Sequence, residues 1–341
     1  MIKRRLFGVA TATLLVLPAL AVLTSRTASA APEFNYTVGK DGSGTIRSIP
    51  QTQRNLDLVG GEQVYLYSTG LSVTRKTTLS SGDNPGTTFI LRCSGPGLSG
   101  SEQLGVYSAQ NMITPAEWTT AGVVRWLLIA PESGRFSCEL AVSSYARNDT
   151  IDRVGPIAMR VNAGSALNVS PVGDAQDTVK AAARWALPHQ EPASNYVLWS
   201  GATRTNGYTY PVRRSTGNLA IVQDLNVTTC SPGDERKFPR CAGAPAYNGS
   251  TLDTWIEIQP QHLNGTSCAP LIKGAVRRTT IAPARHHKTV NDVLHVAKSQ
   301  LGGCPRARTS LQVRHVSGAP TVIHSNWAGR IAPTHGIGYE Y

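Results

Sequence analysis

The sequence predicts an all-β protein: two disulfide-stabilised β-sandwich domains joined by one short helix. Three observations carry that reading. Only 16% of the 341 residues are charged, while Gly, Pro and Ser/Thr-rich turns recur between short β-branched runs. Six cysteines, an even number, fit a disulfide framework in an exported chain. No stretch repeats at 20–50 residues, so a solenoid is not expected.

Export is read from the first thirty residues. Lys3-Arg4-Arg5, an apolar run from Leu6 to Leu23 and Ala28-Ser29-Ala30 have the layout of a secretory signal peptide. Gly8 and Pro18 break the run, which is shorter than the ~20 residues of a membrane span. The expected boundaries are 1–30 for the signal peptide, 31–170 for a sandwich of balanced charge and 171–341 for a basic sandwich. The expected location is secreted and bacterial, extracellular or loosely associated with the cell wall, with no membrane span.

In the first domain, Val64 to Tyr67, Thr87 to Cys93 and Val123 to Ile129 read as strands. Glu132-Ser133-Gly134-Arg135-Phe136-Ser137-Cys138 resembles the E–F corner of immunoglobulin-like sandwiches, D-x-G-x-Y-x-C, with Phe136 at the tyrosine position. The resemblance covers about sixteen residues around Trp126–Cys138 and implies a sandwich. Ile157 to Val161 and Ala166 to Val169 close this domain. Asp174 to Leu187 reads as the linking helix, with Asp174 as N-cap, an apolar face of Val179, Ala182, Ala183 and Ala186, and Pro188 beyond its end.

The second domain resumes at Tyr196 to Trp199 and Leu219 to Cys230. Thr289 to Leu301 reads as a capped helix, with a strand from Val293 to Val296 as the alternative reading. Ser310 to Val316 and Thr321 to His324 read as a hairpin turning at Gly318. The expected bridges join sequence neighbours: Cys93 with Cys138, Cys230 with Cys241, and Cys268 with Cys304.

Charge is the main functional signal. Of the formal +12, the signal peptide holds four basic groups, and residues 31–270 balance to zero. Leu271 to Tyr341 holds ten Lys/Arg against Asp292 and Glu340, together with six of the eight histidines. Clustered charge of one sign favours polyanions in general. The candidate contact residues are Arg277, Arg278, Arg285, His286, His287, Lys288, Arg306, Arg308 and Arg314. The expected partner is an anionic cell-envelope polymer or acidic polysaccharide. A dedicated nucleic-acid partner is not expected, because no aromatics are interleaved as stacking platforms.

Catalytic signatures are missing: there is no G-x-S-x-G, H-E-x-x-H, Walker loop or EF-hand loop. No C-x-x-C appears, and the adjacent His286 and His287 would point to opposite faces of a strand, so neither a metal nor a cofactor is expected. Leu252 to Gln259 alternates, with Asp253, Trp255, Glu257 and Gln259 on one face. Asp253 and Glu257 would then lie roughly 13 Å apart, beyond the ~5–9.5 Å of a glycosidase pair. The leading expectation is a secreted, non-catalytic binding protein. The alternative is a carbohydrate-active protein that binds or hydrolyses glycan around Asp253, Trp255 and Glu257.

Overall fold

The computed structural model describes residues 30–38, 45–79, 83–98, 104–112, 118–148, 156–172, 175–180, 185–187, 194–196, 208–213, 217–230, 241, 248–283, 287–324, 331–332 and 334–341. The expected signal peptide, the loop 232–240, Arg285 and His286 lie outside the described residues. The chain is all-β, built of antiparallel sheets with a single parallel pairing among the described residues.

The first twelve strands are β1 (Phe34–Val38), β2 (Arg47–Ser48), β3 (Arg54–Leu58), β4 (Gln63–Thr69), β5 (Ser72–Arg75), β6 (Asp83–Ser94), β7 (Leu104–Asn111), β8 (Thr119–Ala121), β9 (Arg125–Ile129), β10 (Gly134–Asn148), β11 (Ile157–Val161) and β12 (Ala166–Pro171). There follow β13 (Ala175–Lys180), β14 (Trp185–Leu187), β15 (Ser194–Tyr196), β16 (Tyr208–Pro211), β17 (Asn218–Thr229), β18 (Ser250–Gln261), β19 (Ile272–Lys273), β20 (Arg277–Ile281), β21 (His287–Ala297), β22 (Arg306–Gly318), β23 (Thr321–Ile323), β24 (Ile331–Ala332) and β25 (His335–Glu340).

Sheet I runs β1-β11-β5-β8, and sheet III runs β12-β4-β9. Sheet II runs β2-β10-β6-β7-β24, with β3 also on β10. Between them lies one core that includes Leu66, Phe89, Leu91, Trp126, Leu140 and Met159. Alternation explains how it forms: in β4, Val64 and Leu66 are buried while Tyr65 and Tyr67 turn away.

Sheet IV runs β13-β25-β17-β23-β14, with β21 on β17. Sheet V runs β15-β22-β18-β19, with β16 on β22 and β20 on β18. A second core lies between these two, with Leu219, Ile221, Leu225 and Val227 of β17 against Leu252, Ile256 and Ile258 of β18. The other face of β17 is buried as well. Its Val222 meets Leu127 of β9 and Ile337 of β25, with Tyr65 and Tyr339 packed against them. A strand covered on both faces loses the polar half of its alternation, and β17 is buried almost throughout.

This seam between the two halves also holds charge. Arg125 of β9 is paired with Asp224 of β17, and both side chains are buried. Asn291 Nδ2 donates to Asp224 Oδ1 at 2.6 Å, and His335 Nε2 lies 3.2 Å from Oδ2. Burial alone would raise the pKa of Asp224, but Arg125 and His335 together hold it well below the usual carboxylate range.

All three expected disulfides form: Cys93–Cys138, Cys230–Cys241 and Cys268–Cys304. Cys93 and Cys138 face each other directly on neighbouring strands β6 and β10, with Cα atoms 4.1 Å apart. The bridge therefore lies within one sheet, whereas the immunoglobulin bridge spans two. Phe136 of the corner is fully buried in the first core.

Two local expectations are corrected. The described residues of the expected helix are strand: 175–180 is β13, paired with β25, and 185–187 is β14, paired with β23, while Asp174 and 181–184 lie outside the described residues. Hydrogen bonding along sheet IV overrides the local helical spacing there. Likewise, β22 and β23 do not form a hairpin. β22 belongs to sheet V and β23 to sheet IV, and the chain crosses between them at Ala319-Pro320. Thr289 to Leu301 resolves as strand up to Ala297, then one 3₁₀ turn, Lys298–Leu301, ending at Gly302 in the left-handed region.

Candidate functional site

The outer face of sheet V is the strongest candidate. On β18, Leu252, Ile256 and Ile258 enter the second core, so Asp253, Trp255, Glu257 and Gln259 share the opposite face. This half of the sequence reading holds. Register then brings the neighbours in: Arg278 of β20 and Arg314 of β22 both lie opposite Asp253. Lys273 of β19 lies beside Glu257, Arg308 beside Gln259 and Arg306 beside Gln261.

The charges on this face are stratified. The Asp253 side chain is only 1% exposed, because two arginines cover it. Arg278 donates from Nε to Oδ1 at 2.8 Å and from Nη2 to Oδ2 at 2.9 Å, and Arg314 Nη2 donates to Oδ2 at 2.5 Å. Those arginines stay 63% and 46% exposed, so solvent meets guanidinium rather than carboxylate. Glu257 is engaged in the same way: Trp255 Nε1 donates to Oε1 at 2.7 Å and Gln312 Nε2 to Oε2 at 2.9 Å.

Trp255 is buried as well, at 6% exposure. Lys273 Nζ sits 4.6 Å from the ring centroid and Arg314 Cζ 5.7 Å from it, both in cation–π range. A sugar-stacking platform needs an open ring face, and here cations cover the ring. The two carboxylates have separate hydrogen-bond partners.

The hydrogen bonds from Arg278 are the largest cause that lowers the Asp253 pKa, with Arg314 adding to it and burial opposing; the value falls from 3.8 to about 2. A folded-state pKa below the unfolded value contributes stability above pH 3.8 that is lost as the pH falls toward about 2. Asp253→Asn is expected to flatten the stability–pH curve over that interval, as read from urea midpoints in a pH series. An unchanged slope would mean that Asp253 is not held by its arginines.

Other predicted contact residues lie elsewhere. Arg277 has the opposite parity on β20 and pairs with Asp292 of β21 at 3.2 Å. Burial raises the pKa of Asp292, and Arg277 only partly offsets that. His287 lies at the seam, its ring 6.4 Å from Tyr145 and 5.7 Å from His324. Lys288 Nζ donates to the Thr280 carbonyl at 3.0 Å. Sequence reasoning missed Lys273, because only the register of the two-residue strand β19 brings it to this face. It also missed the seam pair Arg125–Asp224, whose partners are 99 residues apart.

Among the described residues, no group of three or more His, Cys, Asp or Glu side chains could hold a metal ion. A shallow depression lined by Gln53, Arg92, Cys93, Ser94, Ser137 and Glu139 lies on sheet II. Its charges are paired internally, Arg92 Nε donating to Glu139 Oε1 at 2.7 Å.

The chain matches no protein-family profile and no curated protein. Among solved structures it is similar to a chain of the cryo-EM atomic structure of Broad Bean Stain Virus, at 10% identity and TM-score 0.29 over 97% of this chain and 94% of that one. It is also similar to the N-terminal CBM22-1–CBM22-2 tandem domain of Paenibacillus barcinonensis Xyn10C, at 11% identity and TM-score 0.25, covering 93% and 99%. A third similarity is to the infectious bursal disease virus Gx strain, at 13% identity and TM-score 0.26, covering 91% and 75%. Superpositions at these scores assign neither a fold family nor an activity.

Proposed function

We propose that this chain is a secreted, non-catalytic binding protein that contacts an anionic polymer or surface through the outer face of sheet V. The observation that carries the reading is the layering of charge: the Asp253 carboxylate lies beneath Arg278 and Arg314, and Lys273 and Arg314 lie over the buried Trp255 ring. An approaching ligand meets cations first, and Arg306 and Arg308 extend the positive face along β22. The two separate cores support a division into sandwich units 31–170 and 171–341, the basic unit being the second. Three disulfides fit an oxidising, extracellular setting. Among the described residues no helix is long and apolar enough to cross a membrane.

The test compares two triple charge reversals in a cell-wall sedimentation assay at low and high salt. One variant carries Lys273→Glu, Arg306→Glu and Arg308→Glu on the face; the other carries Lys76→Glu, Arg135→Glu and Arg160→Glu in the first unit. Screening over about 8 Å at physiological salt means that clustered charges act together and remote ones do not. The face variant is expected to lose roughly tenfold or more of its low-salt retention, with the control within about twofold of wild type. Equal losses in both variants would show that only net charge counts and would remove the reading.

A further inference from the structure

The pairing around Asp253 has a more specific geometry than a general basic face requires. Arg278 and Arg314 stand on strands flanking β18, so their Cα atoms are two strand spacings apart, about 10 Å. Both nevertheless reach inward to one carboxylate. Arg278 is committed side-on through Nε and Nη2, and Arg314 through Nη2 alone. Nη1 of Arg278 and both Nε and Nη1 of Arg314 remain outside that pairing. Lys273 Nζ joins them from a third strand, held with Arg314 against the Trp255 ring. Buried partners thus fix three cations that would otherwise be mobile surface side chains.

We propose that Arg278, Arg314 and Lys273 form a preorganised receptor for a phosphate group, with Asp253 as its positioning residue. This rests on the reading of sheet V as an anion-binding face and names the group that the face selects. The argument is one of shape. A planar carboxylate is matched by one edge of one guanidinium, and on Arg278 the protein's own Asp253 already takes that edge. The remaining donors belong to three separate side chains on three strands, rather than to one guanidinium edge. A tetrahedral phosphate offers oxygens in several directions and accepts from all three cations. Asp253 sets the geometry at the expense of one unit of positive charge.

That last point makes the proposal separable from simple charge attraction. The full chain is titrated calorimetrically with inorganic polyphosphate, with polygalacturonate of matched length, and with orthophosphate alone. Wild type is expected to bind polyphosphate at least about tenfold more tightly than polygalacturonate. Asp253→Asn makes the face more positive, so charge alone predicts tighter binding of both polymers. The receptor instead predicts that the preference shrinks to within about threefold, because the arginines lose their common anchor.

Arg314→Lys conserves charge but removes the fork, and the same loss of preference is expected. It serves as the test should Asp253→Asn not fold. Equal wild-type affinity for the two polymers overturns the phosphate receptor and leaves the anion-binding face standing. An undiminished preference in either folded variant also overturns it. Failure to bind either polymer at low salt overturns both readings. Orthophosphate binding that weakens in both variants would identify the free ion as the source of the phosphate. Binding of polyphosphate alone would identify phosphate borne on a chain.

Discussion

Replacing Arg125 with methionine is expected to lower the unfolding free energy by about 3–5 kcal/mol, the usual result of stranding one charge of a buried pair. The Arg125 and Asp224 side chains are 9% and 2% exposed. Without the guanidinium, Asp224 would retain Asn291 and a histidine 3.2 Å away, but no fixed countercharge. The deficit should depend on pH in a defined direction. In wild type the folded pKa of Asp224 is depressed, so its contribution is complete above the unfolded value and is lost as the pH falls through the lower folded one. In the variant, burial dominates and raises that pKa, so acid should relieve the strain of the uncompensated charge. The two stability curves should therefore begin to converge as the pH falls from 7 toward 4. Adding Asp224→Leu to Arg125→Met should recover most of the loss, because a well-packed apolar pair substitutes for a buried ionic one. Urea unfolding at pH 7 and pH 4 checks all three outcomes. A loss below about 1 kcal/mol at pH 7 would mean that water reaches the seam.

Removing the Cys93–Cys138 bridge by the double replacement Cys93→Ala and Cys138→Ala is expected to cost about 4 kcal/mol, the chain-entropy value for closing a loop of this size. The cysteines are 45 residues apart in sequence and face each other on paired strands. The bridge also pins the register of β10 against β6, the most extensive pairing in sheet II. Thermal unfolding of the oxidised wild type and of the double variant measures the difference. Reduction of the wild type by dithiothreitol should add further destabilisation through the other two bridges. A double variant as stable as wild type would show that the unfolded chain is already compact enough to hold these strands together.

How much of this is legible in the residues depends on how local the cause is. The period of two along β18 puts Asp253, Trp255 and Glu257 on one face whatever the strand pairs with, because alternation is a property of the strand alone. The three bridges are legible as pairings of sequence neighbours, although the loops they close span from 11 to 45 residues. What stands on the far side of a register is not legible. Lys273 looks like any loop lysine until β19 pairs with β18. Arg125, at the head of an apolar run, looks like a strand end until Asp224 meets it across the seam. The segment 174–187 carries a sound helical spacing, and hydrogen bonding to β25 and β23 outweighs it. The apparent hairpin after Gly318 fails because a turn signal says that the chain reverses, not which sheet receives it.

The position of β25 has a consequence for the order in which the molecule can assemble. It lies between β13 and β17, so it is the common neighbour of strands that precede it by more than a hundred residues. A chain emerging amino end first carries β13 and β17 with open edges until β25 follows. The first core, made wholly from earlier residues, has no such wait. Folding should therefore proceed in two waves, with the second held back until its last strand arrives. During that interval the apolar residues of sheet IV are exposed to any neighbouring chain in the same condition. Anything that slows delivery of β25 lengthens the period in which self-association competes with closure.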